Sequence, residues 1–156
     1  MKKTDSLKVL KEAAHAYCVQ FVEERLKRAK LQITELEHAL TSETKSSAGD
    51  KHETGRAMIQ LEREKLGRQL AELEKTKQLL SKVPRARDTQ TVGLGNLVIT
   101  DAFSYYIAIS AGEFKHEGKA IYCISAATPI AQLLLGKSIG QAFTFNGKTT
   151  SVVTIV

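Results

Sequence analysis

The chain has 156 residues, 42% apolar and 26% charged, with no tryptophan, two cysteines and a formal net charge of +6. These values fit one large or two small folded domains and exclude a disordered or fibrous chain. No apolar stretch reaches the length that spans a bilayer, and Met1-Lys2-Lys3 leads into Thr4-Asp5-Ser6, so no signal peptide is expected.

The excess charge is confined to the first part of the chain. Residues 1–87 hold nineteen Lys or Arg against thirteen acids, and residues 88–156 hold four of each. A basic segment suits a polyanionic neighbourhood, either nucleic acid or an acidic protein channel. It is equally what a solvated helix face looks like when laced with i,i+4 ion pairs such as Glu64 near Arg68.

In chain order, Asp5 or Ser6 is expected to cap a first helix that runs to about Leu40 or Thr41. Leu7, Leu10, Ala14, Tyr17 and Phe21 repeat at three and four residues. After a one-residue phase shift Val22, Leu26, Ala29, Ile33, Leu36 and Leu40 continue the stripe. Ser42–Glu53 is polar and rich in turn formers. A second helix is expected from near Asp50 to near Lys82, with Ile59, Leu66, Leu70, Leu73 and Leu80 as its stripe, and Pro84 ends it. Two such helices joined by a polar turn cover each other as an antiparallel coiled-coil hairpin over residues 1–84, with Ser42–Glu53 at its tip.

Residues 85–90 read as a linker, and residues 91–156 as a small α+β domain of mostly antiparallel sheet with one short helix. Asn96–Thr100, Ser104–Ile109 and Lys119–Ser125 have strand composition, and Gly112 and Gly118 bracket an expected polar loop, Glu113–Glu117. Thr128-Pro129 opens a short helix, Ile130–Leu135, that Gly136 closes. Asn146-Gly147 is the favoured two-residue turn of a hairpin between Gln141–Phe145 and Thr149–Ile155. Cys18 and Cys123 lie one in each part with no neighbouring cysteine, and read as reduced core fillers of a cytoplasmic chain.

Ile124-Ser-Ala-Ala-Thr-Pro-Ile-Ala-Gln-Leu-Leu-Leu-Gly-Lys-Ser-Ile-Gly-Gln-Ala-Phe-Thr-Phe145 resembles the C-terminal signature of the bacterial Gre transcript-cleavage factors. Gly49-Asp50-Lys51-His52-Glu53 resembles the Gly-Asp-x-x-Glu at the tip of their hairpin. The resemblance covers the whole chain. It implies an FKBP-like fold for the C-terminal domain and a monomer that binds the RNA polymerase core beside its secondary channel. Partner contacts would fall around Thr128, Pro129, Ile130 and Lys137. It further implies that the tip enters the channel, where Asp50 and Glu53 help hold a second Mg²⁺ ion and orient a water. The polymerase then hydrolyses backtracked nascent RNA, and the factor is not an enzyme alone and binds no cofactor by itself.

Three alternatives stay open on the residues. Asp50-x-x-Glu53 at a helix start is also a capping box. The chain departs from the family after Glu53, with Thr54-Gly55-Arg56-Ala57 in place of Asn-Ala-Glu-Tyr, and Arg56 would touch RNA phosphate or repel the metal. Gln132 and Gln141 likewise stand where the C-terminal signature has Arg and Asp. These changes suit a non-catalytic channel-binding regulator or inhibitor. A prolyl isomerase would need an aromatic-lined pocket.

Overall fold

The computed structural model describes the backbone of residues 2–45 and 49–156 and the side chains of residues 2–42 and 53–156. The chain is mixed α+β. Two long helices, α1 (Lys2–Lys45) and α2 (Gly49–Ser81), precede six strands: β1 (Leu97–Thr100), β2 (Ser104–Ala108), β3 (Gly112–His116), β4 (Lys119–Ser125), β5 (Ala142–Phe145) and β6 (Lys148–Ile155). A short helix, α3 (Pro129–Leu134), lies between β4 and β5. The chain divides into two compact units, Met1–Phe21 with Gln78–Val156, and Val22–Lys77. Among the described residues no helix is long and apolar enough to cross a membrane.

Helix α1 is longer at both ends than its caps predict. It begins at Lys2, so Asp5 sits inside its first turn, where a carboxylate suits the positive end of the helix dipole, rather than at the cap. It passes Leu40 and Thr41 and continues to Lys45, because no glycine or proline interrupts the chain before Gly49. The buried stripe of α1 also needs no phase shift. Leu7, Leu10, Ala14, Cys18, Val22, Leu26 and Ala29 are buried in one continuous run at three- and four-residue steps. Cys18 serves as the small apolar residue of that run, and Tyr17 and Phe21 lie on its flank.

In the unit Val22–Lys77 the helices run in opposite directions. Lys77 reaches Glu23 at 3.0 Å and Arg63 reaches Glu37 at 2.8 Å, so the chain rises on one helix as it falls on the other. Both pairs are half-exposed and report position more than stability.

The other unit is built on a six-stranded sheet in the order β3-β4-β2-β1-β6-β5. The sheet is mixed, not antiparallel throughout: β2 and β4 pair in parallel, Ser104 beside Ile121 through Ala108 beside Ser125. The cause is that Glu113–Glu117 is not a loop. Residues 112–116 form edge strand β3, paired antiparallel with β4 from Gly112 opposite Cys123 to His116 opposite Lys119. The chain leaves β2, runs back along the sheet edge as β3, and returns as β4 between the two. A strand that returns after one reversal must run parallel to the first.

Alternation along the strands gives the sheet two buried faces. Val98, Ile107, Phe143, Val152 and Ile155 form one core with Val92 and with Leu134 of α3, and Ile130, Leu133 and Leu135 pack against it. On the other face lie Leu97, Tyr106, Ile121 and Cys123, all buried, and here the first turns of α1 bear on the sheet. At about 25 cal/mol per Å² of apolar area, such burial is the main stabilising term of the unit. The hairpin β5–β6 turns through Asn146 (φ 50°) and Gly147 (φ 77°), both left-handed as a type I′ turn requires.

Residues 85–90 are fastened rather than free. Arg85 pairs with Glu12, and Arg87 donates to the backbone carbonyl of Thr91 (2.8 Å) and to Asn96 Oδ1 (2.7 Å). Asn96 is fully buried. It also accepts from Gly93 N (2.8 Å) and donates to the Val156 carbonyl (3.1 Å), so one side chain ties this segment to the C-terminus.

Candidate functional site

The site residues read from the sequence fall into two groups, one in each unit. Glu53 and Arg56 lie on α2, three residues apart and therefore on neighbouring positions of one face, and both are exposed. Asp50 belongs to the first turn of α2, which begins at Gly49, and its side chain, with those of Lys51 and His52, lies outside the described residues. A helix that starts at Gly49 puts Asp50 one step inside the helix rather than at its cap, so its local alternative is a charge near the helix dipole. Glu53 offers a carboxylate to whatever approaches that face. One or two acids on a helical turn fit the part of added oxygen ligands to an ion held by another molecule, and are too few to hold Mg²⁺ themselves. Among the described residues no three His, Cys, Asp or Glu side chains are gathered for a metal.

The second group is built on α3 and its exit. Thr128 is the N-cap: its hydroxyl donates to the Ser125 carbonyl (2.8 Å) and accepts from Ala131 N (3.4 Å). Pro129 takes the first helical position, where its missing N–H costs nothing. The helix spans Pro129–Leu134, one residue earlier at each end than Ile130–Leu135, and Leu135 is its C-cap. Gly136, at φ +83°, makes the left-handed exit, and its N–H bonds the Val92 carbonyl at 2.9 Å. Lys137 follows. Its carbonyl accepts from Val92 N (2.8 Å), which fixes the backbone and leaves the half-buried side chain at the unit's surface.

Ile130 brings this group beside a feature the sequence reading did not find. A hollow of about 280 Å³ is lined by Phe103, Tyr105, Phe143, Phe145 and Ile130, with Lys148 at its rim. Phe103 stands 52% exposed and packs edge-on against Tyr122, with ring centroids 5.6 Å apart. Tyr105, Phe143 and Phe145 read from sequence as sheet and core residues. Their convergence depends on β2 and β5, strands far apart in sequence, presenting side chains on the same face of one sheet, which no local pattern announces.

In the unit Val22–Lys77 a larger cleft of about 520 Å³ opens between α1 and α2, and Arg25, Arg28, Lys65 and Arg68 are among its lining residues. Net charge alone does not announce this grouping, which needs residues forty apart in the chain to face each other. Compared with known proteins, the chain matches no family model and no curated protein.

Proposed function

We propose that the protein is a Gre-type transcription elongation factor that binds the RNA polymerase core. The observation that carries this reading is the resemblance of Ile124–Phe145 to the Gre C-terminal signature. It is supported by the order of parts: two opposed long helices, then a small mixed-sheet unit with one short helix. On this reading the helices form a coiled-coil hairpin, the sheet unit is FKBP-like, and the surface around Thr128, Pro129, Ile130 and Lys137 docks on the polymerase. Asp50 and Glu53 then act only inside the polymerase, against nascent RNA, as two hard oxygen donors on one helical turn. A second Mg²⁺ held there would stabilise charge on the attacking and leaving oxygens of RNA hydrolysis. Glu53 contributes an exposed carboxylate on α2, and Asp50 is the acid one turn before it.

A second reading, a channel-binding regulator without cleavage activity, is favoured by one observation. Arg56 stands where the family has its third acid, so a cation replaces an anion one helical turn after Glu53.

The test is capture of the core polymerase by the full chain, followed by an RNA-cleavage time course on stalled complexes. Capture with faster cleavage supports the cleavage factor. Capture with unchanged or slower cleavage supports the regulator, and no capture rejects both.

A further inference from the structure

The cleft between α1 and α2 has four cationic side chains in its lining. Arg25 and Arg28 project from one wall, and Lys65 and Arg68 from the other. The one acid in the lining, Glu72, lies 3.4 Å from Lys75. At each end of the cleft an ion pair joins the two helices: Lys77 with Glu23 at one end and Arg63 with Glu37 at the other. The cleft thus lies between two neutralised pairs. Its lining on α1 runs from Arg25 to Gln32, or about 10 Å of helix at 1.5 Å per residue.

We propose that this cleft binds a small molecule carrying two or more adjacent phosphates, a nucleoside polyphosphate being the fitting class. Four cations within two helical turns suit a compact run of charge. Arginine in particular takes phosphate oxygens in a bidentate fork. An extended nucleic-acid strand would instead need a basic track continuing past the cleft, and the ion pairs at both ends interrupt one. The volume, about 520 Å³, is that of a small-ligand site. Ala29 and Leu73 give it an apolar floor against which a flat ring can lie, and the amides of Gln32 and Gln69 offer both donors and acceptors to a base or sugar.

This site is independent of the polymerase reading and is tested on the full chain alone. Isothermal titration with inorganic tripolyphosphate should show saturable one-to-one binding that weakens as salt rises. The double variant Arg28→Gln/Lys65→Gln should lose about tenfold or more in affinity, a loss worth about 1.4 kcal/mol per factor of ten. Lys27→Gln/Lys30→Gln removes two cations of the same unit that do not line the cleft, and should lose less than about threefold. Circular dichroism of both variants should match the parent, since exposed helix positions accept Gln. ATP binding more tightly than tripolyphosphate would assign the floor and amides to a nucleoside, and equal affinity would assign phosphate recognition alone. The proposal is overturned by unsaturable binding, by equal losses in the two double variants, or by a twenty-nucleotide single-stranded RNA binding far more tightly than tripolyphosphate.

Discussion

His15 Nδ1 on α1 lies 2.7 Å from the hydroxyl of Tyr106 on β2, across 91 residues of sequence, and both side chains are buried. With the imidazole neutral, the tyrosine donates and the histidine accepts. Each group is the other's partner in an interior where an unpaired polar atom is costly. Tyr106→Phe should therefore destabilise the protein by about 1–3 kcal/mol through the stranded nitrogen, with little change in volume. Urea denaturation of parent and variant measures it. An unchanged midpoint would mean the bond contributes nothing.

The same pair gives stability a pH dependence with a definite sign. Burial pushes the His15 pKa below its ordinary value of 6.5, Arg85 pushes it further down, and Glu12 opposes them. Tyr106 also faces the ring, with its own pKa raised by burial. A group whose native pKa is depressed binds fewer protons folded than unfolded once the pH falls below its unfolded pKa. His15 should therefore contribute its full stability above about pH 6.5 and lose it progressively as the pH drops toward the native value. Thermal melts from pH 8 to pH 5 should show this decline, and His15→Asn or His15→Gln should flatten it. The decline persisting in both variants would assign it to other groups.

The helices were legible because their apolar residues repeat locally, and the hairpin turn at Asn146-Gly147 because left-handed backbone has few candidates. Thr128, Pro129 and Gly136 announced α3 to within one residue for the same reason. What could not be read locally was pairing at a distance. Residues 112–116 look like a polar loop because Glu113 and Lys115 face outward on an edge strand. Their alternates Phe114 and His116 gain cover only once α1 is present, Phe114 stacking on Tyr17 with centroids 4.9 Å apart. Cys18 reads as a core filler and is one, but the local pattern draws the stripe through its neighbour Tyr17, whose aromatic ring is the stronger apolar signal. The Tyr17 hydroxyl, however, donates to the Ala111 carbonyl at 2.9 Å and holds that ring at the margin of the buried stripe. Of the candidate site, α3 was legible as a motif. The aromatic hollow and the basic cleft were not, since each is made by residues that folding alone brings together.

The two cysteines make a third prediction. Cys18 and Cys123 are both buried, and the Cys123 thiol is pushed up first by a hydrogen bond with Cys18 and then by burial. A protonated, enclosed thiol is a poor nucleophile. In the native protein neither cysteine should react with a thiol reagent over minutes at pH 8, and both should react at once in guanidinium. Cys123→Ser, which puts a more polar group in the same place, should cost about 1–3 kcal/mol. Rapid labelling of the folded protein would show that α1 lifts readily from the sheet.

Two glycines with similar backbone separate conformational strain from collision. Gly95 and Gly136 have φ of +92° and +83°. A Cβ on Gly136 would meet open space, whereas one on Gly95 would lie 2.3 Å from the Pro84 carbonyl oxygen. Gly136→Ala should thus cost only the left-handed penalty of about 1–2 kcal/mol. Gly95→Ala should add a backbone clash that no rotamer relieves, for a total of roughly 2–5 kcal/mol. Equal midpoints for the two variants would contradict this packing of Gly95 beneath Pro84.

The last prediction concerns the chemistry proposed for Asp50 and Glu53, and depends on choosing a substitution that leaves the helix intact. Asp50 lies in the first turn of α2 and Glu53 follows three residues later, so on a regular helix both address one side. Asp50→Ala would remove the carboxylate together with any contact its oxygens make to first-turn N–H groups. Asp50→Asn keeps an oxygen acceptor of the same shape and removes only the charge, which at a helix start is a small term that salt screens. If the acids serve the polymerase's metal, Asp50→Asn should lower stimulated RNA cleavage by at least about tenfold, since a neutral amide is a far weaker ligand for Mg²⁺ than a carboxylate. Capture of the polymerase and the melting temperature should stay at the parent's values. Glu53→Gln should behave in the same way, while Arg56→Glu, restoring an acid at that turn, should raise cleavage if the arginine repels the ion. Cleavage by Asp50→Asn equal to the parent's would leave these carboxylates to the helix, and the non-catalytic regulator would then be the better account of the chain.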